Sequence, residues 1–177
     1  MVNKMNNILN DLYNKYSDIK YGWYDKDNIL HDKLYEGFLA NFRFQTLDHI
    51  KKSKTAICWE MVELYRDELE KMNIPSKTYF FCLKETGYHC HSIIVTKDDN
   101  YYYHLEGTLK NNQGIHKHKS LEDIFKYIID RYDIVVNDPN IQINKDNIEI
   151  YEYSKPKEGI SCTEYFFHCF GGKKIKK

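Results

Sequence analysis

Between residues 56 and 72, Met61, Val62, Tyr65, Leu69 and Met72 recur at three- and four-residue intervals, the spacing of one buried helix face. Further along the chain the period changes. His91-Ser92-Ile93-Ile94-Val95-Thr96 and Tyr101-Tyr102-Tyr103-His104-Leu105 are rich in β-branched and aromatic residues, and Lys97-Asp98-Asp99-Asn100 between them is turn chemistry. Residues 91–96 and 101–106 are therefore expected to pair as an antiparallel hairpin. Lys77-Thr78-Tyr79-Phe80-Phe81-Cys82, set off from the helix by Pro75, reads as a neighbouring strand.

The flanks add further elements. Met5, Ile8, Leu9, Leu12, Tyr13 and Tyr16 lie on one face of an N-terminal helix, and Thr46-Leu47-Asp48-His49-Ile50 reads as a short capped helix. Leu121, Ile124, Phe125, Ile128 and Ile129 form another, with Ser120 as N-cap and Asp123 at the third helical position. Residues 148–153 read as a strand, and Ser161-Cys162-Thr163-Glu164 is a capping box opening a helix that Gly171-Gly172 ends. Helices, then strands, then a mixture point to an α+β fold with an antiparallel sheet packed on the 56–72 helix. With no repeat, linker or shift of composition, residues 1–177 are read as a single domain.

Candidate chemistry gathers where this helix begins. Cys58 lies in its first turn, with Thr55 or Ser53 placed to cap it and Glu60 where the dipole favours negative charge. Unpaired N–H groups there favour a thiolate and could supply part of an oxyanion hole. A loop centred between Asp98 and Asp99 sets His91 opposite Glu106. Directly opposed residues share a face with Cβ atoms roughly 4.5–5.5 Å apart, within reach for a carboxylate to orient an imidazole. His89 and His104 compete for the role of base, but only His91 meets Glu106 in this register.

In order and spacing, Cys58-Trp59, His91 and Glu106 resemble the transglutaminase-like superfamily, relatives of the papain-type cysteine proteases. Lys20-Tyr21-Gly22-Trp23, Phe42-Arg43-Phe44-Gln45 and Gly114-Ile115-His116 carry weaker likeness to bacterial and phage members, so the resemblance spans about 20–130, with a strand and helix extension over 140–172. It implies a transglutaminase-like or papain-like core and a Cys-His-Glu triad, with Glu106 where most of the superfamily has aspartate. It also implies a second oxyanion donor. Gln45 is similar to the glutamine before the papain-type cysteine, and Trp23 to the upstream tryptophan of transglutaminases. The implied activity is acyl transfer on an amide of a peptide or protein: hydrolysis by a peptidase, amidase or deamidase, or else cross-linking to an amine.

Composition narrows the alternatives. The chain has 26 acidic and 26 basic residues, so no overall field draws it to nucleic acid or an anionic membrane. His116-Lys117-His118-Lys119 reads as solvated surface and Lys173–Lys177 as a frayed end. Five cysteines in no disulfide spacing, and no apolar run of membrane length, suit a reduced cytoplasmic protein. His89-Cys90-His91 and Cys162, His168 and Cys169 lack the paired spacing of structural zinc, and no phosphate or dinucleotide loop is present. Neither metal nor cofactor is expected. Sixteen tyrosines leave a non-catalytic protein-binding module as the alternative from another class.

Overall fold

The computed structural model describes residues 4–33, 37–85 and 89–176. Helix α1 (Lys4–Lys15) precedes three two-residue strands, β1 (Lys20–Tyr21), β2 (Trp23–Tyr24) and β3 (Leu30–His31), and two short helices, α2 (Phe38–Asn41) and α3 (Leu47–Ser53). Strand β4 (Thr55–Ala56) leads into α4 (Cys58–Lys71). Strands β5 (Ser76–Leu83), β6 (His89–Lys97), β7 (Tyr102–Glu106) and β8 (Gly114–His118) follow, then α5 (Leu121–Asp130) and α6 (Tyr132–Val136). The described chain closes with β9 (Glu149–Tyr153), α7 (Cys162–Phe170) and β10 (Lys173–Lys176).

Six strands form one antiparallel sheet in the order β10-β9-β5-β6-β7-β8. Alternation along β5 and β6 sends successive side chains to opposite faces, and both faces are covered. On one, Phe80, Cys82 and Ile94 pack with Met61, Val62, Tyr65 and Leu69 of α4, and with side chains of α1 and α7. On the other, Tyr79, Phe81, Ile93 and Val95 pack with Ile124, Ile128, Tyr132 and Val136 of α5 and α6. This α+β architecture matches the expected class, and the segment after residue 140 is integral to it: β9 pairs with β5 across five rungs from Thr78↔Tyr153 to Cys82↔Glu149.

A buried polar link ties α4 to the sheet. Arg66 grips Glu63 through Nε to Oε2 at 2.8 Å and Nη2 to Oε1 at 3.1 Å, and donates from Nη2 to Thr78 Oγ1 at 2.6 Å. Thr78 donates in turn to the Tyr153 carbonyl oxygen at 2.6 Å. Every charged group is paired, as a buried ion pair requires.

Two strands depart from the sequence reading. The 116–119 segment, read as solvated surface, lies mostly in edge strand β8, where His116 pairs with His104. The basic tail, read as frayed, forms the other edge strand, β10, along β9; Lys177 lies outside the described residues. Both are edge strands, and edges are habitually polar and lysine-rich, so they lack the apolar alternation of inner strands. Gly172 permits the return of β10, because a Cβ there would stand 2.3 Å from the Glu152 carbonyl oxygen.

Candidate active site

The start of α4 is set by Ile57, in extended conformation as N-cap, and not by the expected Thr55 or Ser53. Thr55 instead lies in β4, whose parallel pairing with β1 places Lys20 beside Thr55 and Tyr21 beside Ala56. Isoleucine has no side-chain acceptor for the first turn. Glu60 supplies the other half of a capping box, its Oε2 accepting the Ile57 N–H at 3.1 Å. Half-buried Cys58 is thereby the first residue of the helix, where backbone N–H groups have no intrahelical acceptor.

The hairpin forms, but its register differs from the expected one. Ile94 pairs with Leu105, Val95 with His104, Thr96 with Tyr103 and Lys97 with Tyr102. Asp98 is the cause: its Oδ1 accepts the N–H groups of Asn100 and Tyr101 at 2.9 and 2.8 Å, fixing a four-residue loop centred one residue later than expected. Each rung moves by two residues, so Glu106 falls level with Ile93 and not with His91. A two-residue offset keeps every side chain on its face. His91 and Glu106 accordingly meet on the diagonal, Nε2 to Oε2 at 2.6 Å, with both residues at most 2 % exposed.

The rest of the carboxylate is also held. Glu106 Oε1 accepts Thr108 N–H at 2.9 Å, Leu109 N–H at 3.0 Å and the Thr108 hydroxyl at 3.2 Å. Burial opposes its charge, but the His91 charge and hydrogen bond and the two N–H groups outweigh it and hold the carboxyl well below the usual range. Burial likewise opposes the imidazolium. The Glu106 charge, the hydrogen bonds that the ring N–H groups donate to Cys58 and Glu106, and the Cys58 charge prevail, raising His91 well above an ordinary histidine. With Nε2 taken by Glu106, Nδ1 is the ring nitrogen that remains for Cys58.

The rival histidines stand elsewhere. His89 opens β6, and its carbonyl oxygen accepts the Tyr132 hydroxyl at 2.9 Å. His104 is stacked on His116 with centroids 4.5 Å apart, and its Nδ1 lies 3.1 Å from His118 Nε2. Burial, then the neighbouring imidazoles, hold His104 well below its ordinary value, which keeps it neutral. Among the described residues, no group of three or more His, Cys, Asp or Glu side chains is arranged to hold a metal ion.

Both side chains expected to complete an oxyanion hole have other partners. Gln45 is buried and donates from Nε2 to Glu60 Oε2 at 3.0 Å and to the Thr55 carbonyl oxygen at 3.2 Å, while its backbone N–H reaches Glu60 Oε1 at 2.9 Å. It therefore braces the start of α4. Burial pushes the Glu60 carboxyl up to about 7 against these donors. Trp23 donates from Nε1 to the Lys33 carbonyl oxygen at 3.0 Å and stacks on His31. Trp59 turns away into the core and stacks on Tyr165 with centroids 4.3 Å apart.

Tyr21 is a candidate site residue that no local sequence signal marks on its own. Its rung with Ala56 sets it beside the Cys58 turn; the residue is 43 % exposed, and its hydroxyl end is favoured in the protonated form by local desolvation and by the Cys58 and Glu60 charges. The sequence signal was its place in Lys20-Tyr21-Gly22-Trp23; the parallel β1–β4 contact that gives it meaning is long-range.

A cavity of about 310 Å³ lies elsewhere, lined by Pro75, Tyr79, Val95, Thr96, Tyr102 and Leu121 at the end of β5 and β6 remote from His91. It takes no part in this cluster. No described helix is long and apolar enough to cross a membrane. Comparison with protein-family models, with curated proteins and with solved structures found no match to this chain.

Proposed function

We propose that this chain is a thiol enzyme of transglutaminase-like or papain-like core that performs acyl transfer on an amide, with Cys58, His91 and Glu106 as its triad. The observation that carries this reading is the buried 2.6 Å bond from His91 Nε2 to Glu106 Oε2, in a histidine that also interacts with Cys58 at the first turn of α4. A carboxylate that takes one ring nitrogen leaves the other aimed at a nucleophile, the division of labour of a catalytic triad.

In this reading His91, held as the imidazolium, already carries the Cys58 proton on Nδ1 in the resting site, and the thiolate attacks the amide carbonyl carbon. His91 returns the proton to the leaving amine as the C–N bond breaks, leaving a thioester. Water, deprotonated by the same nitrogen, then attacks the thioester and releases an acid; an amine in its place gives a cross-link. Hydrolysis is the preferred outcome. The backbone N–H groups at the start of α4 face the developing oxyanion, and Tyr21 is the candidate second donor, since Gln45 and Trp23 donate elsewhere.

The test is titration with iodoacetamide at neutral pH, with modified peptides mapped by mass, beside assays of peptide-amide hydrolysis and of fluorescent-amine incorporation into a glutamine-rich protein. Selective modification of Cys58, abolishing whichever turnover is found, is expected. Five equally slow thiols and no turnover in either assay would instead favour a binding module on the same fold. Tyr21→Phe should lower kcat with little change in KM if its hydroxyl serves the oxyanion; an unchanged kcat removes it from the site.

A further inference from the structure

Cys82 and Cys90 are direct cross-strand partners in the β5–β6 ladder, and their sulfur atoms stand 2.9 Å apart. A disulfide needs an S–S distance of about 2.05 Å and Cβ atoms about 3.5–4.5 Å apart, so the two sulfurs are less than 1 Å from bonding. Both are free thiols; the Cys82 residue is buried and the Cys90 residue is partly exposed, so Cys90 is the one a reagent reaches first, although its sulfur is itself enclosed. The pair lies one rung from His91 in the β5–β6 ladder, its side chains on the face that packs against α4. Cys90 directly precedes His91, and Cys58 is close enough for its charge to act on Cys90.

We propose that Cys82 and Cys90 form a reversible redox modification site, closed to an intramolecular disulfide by small-molecule disulfides of the glutathione type. The Cys90 thiolate attacks one sulfur of the reagent, expelling one small thiol, which takes up a proton. The Cys82 thiolate then attacks the Cys90 sulfur of the mixed disulfide and expels the second thiol. In balance, the protein loses two hydrogens and two electrons, and one reagent disulfide becomes two thiols. Burial first, then the Cys82 hydrogen bond, hold the Cys90 thiol protonated, so the pair exchanges slowly and follows the prevailing thiol–disulfide balance without acting as a rapid peroxide sensor. Closure joins β6 covalently to β5 beside His91 and leaves Cys58 as a free thiol. The site stands whether or not the triad is catalytic.

The experiment equilibrates the full chain in reduced and oxidised glutathione at a series of ratios, quenches with N-ethylmaleimide, and maps peptides without reduction. Expected is a Cys82–Cys90 linked peptide lighter by two hydrogens, growing with the oxidised fraction and lost on adding dithiothreitol, while Cys58 still alkylates. Cys82→Ala should replace the link by glutathione held on Cys90. A wild-type protein in which glutathione adducts appear on other cysteines but this link never forms overturns the proposal, as does a link from Cys90 to Cys58. Because the deciding result comes from the wild-type chain, a variant that failed to fold would not leave the question open.

Discussion

Glu106 stands diagonally across from His91 and meets it Oε2 to Nε2 at 2.6 Å, with its other oxygen occupied by Thr108 and Leu109. An ion pair so enclosed ties the chemistry of the site to its stability. Removing one member leaves the other charge buried without compensation, at a cost of about 3–5 kcal/mol.

That pair has a pH window with a definite sign. Glu106 is lowered in the folded state, so its contribution is present above the unfolded carboxyl value and is lost as pH falls through the folded one. His91 is raised, so its contribution is full below the unfolded histidine value and is lost as pH rises through the folded one. Both are fully present only between about pH 4.5 and 6.5. Urea unfolding of the wild type and of Glu106→Gln across pH 4–9 should differ most within that interval. A difference that grows steadily toward pH 9 would mean that His91 is not held as the cation.

The residues of the proposed triad should separate by role as well as by stability. Cys58→Ala removes a half-buried thiol and should cost less than about 1 kcal/mol while abolishing turnover. His91→Gln can still donate to Glu106, so the protein should fold while turnover falls by about 10²–10⁴. Glu106→Gln should retain measurable turnover, because the amide can orient the imidazole without stabilising its charge. Near-normal turnover in His91→Gln, on a substrate that Cys58→Ala cannot process, would reassign the base.

Glu60 gives a slope of the opposite kind from that of Glu106. Its carboxyl is raised to about 7 by burial, so ionising it opposes the folded state, and wild-type stability should decline as pH rises from about 4.5 through 7. Glu60→Gln lacks the titration. The stability of the variant relative to wild type should therefore improve across this range, whatever its offset from the altered acceptors for Gln45 and Ile57. Parallel stability curves would show that Glu60 ionises as readily folded as unfolded.

Arg66→Met should lower stability by about 3–5 kcal/mol, because Glu63 would be buried without its cation and Thr78 would lose a donor. The double variant Arg66→Met, Glu63→Leu removes both charges and should recover much of the loss. Differential scanning calorimetry of the two variants checks this, and equal melting temperatures would show that the unpaired carboxylate is not what destabilises the single variant.

Elements whose signals are local were legible along the chain. The three- and four-residue spacing from Met61 to Leu69 marks α4, Ser120 with Asp123 and Ser161 with Glu164 mark the starts of α5 and α7, and the β-branched and aromatic runs mark β5, β6 and β7. The sequence also brought His91 and Glu106 to one face, because a shift of two residues leaves alternation intact. Tertiary structure decided what depends on distant partners. Asp98 chose the loop, and so the diagonal meeting in place of a direct rung. Edge strands β8 and β10 take their conformation from β7 and β9, and not from any apolar period of their own. Gln45 turned from candidate donor to brace because Glu60, fifteen residues away, folds back beneath it. The spacing of Cys82 and Cys90 likewise exists only once β5 and β6 have paired, since a strand's own sequence fixes which face a side chain takes and its neighbour fixes what that side chain meets.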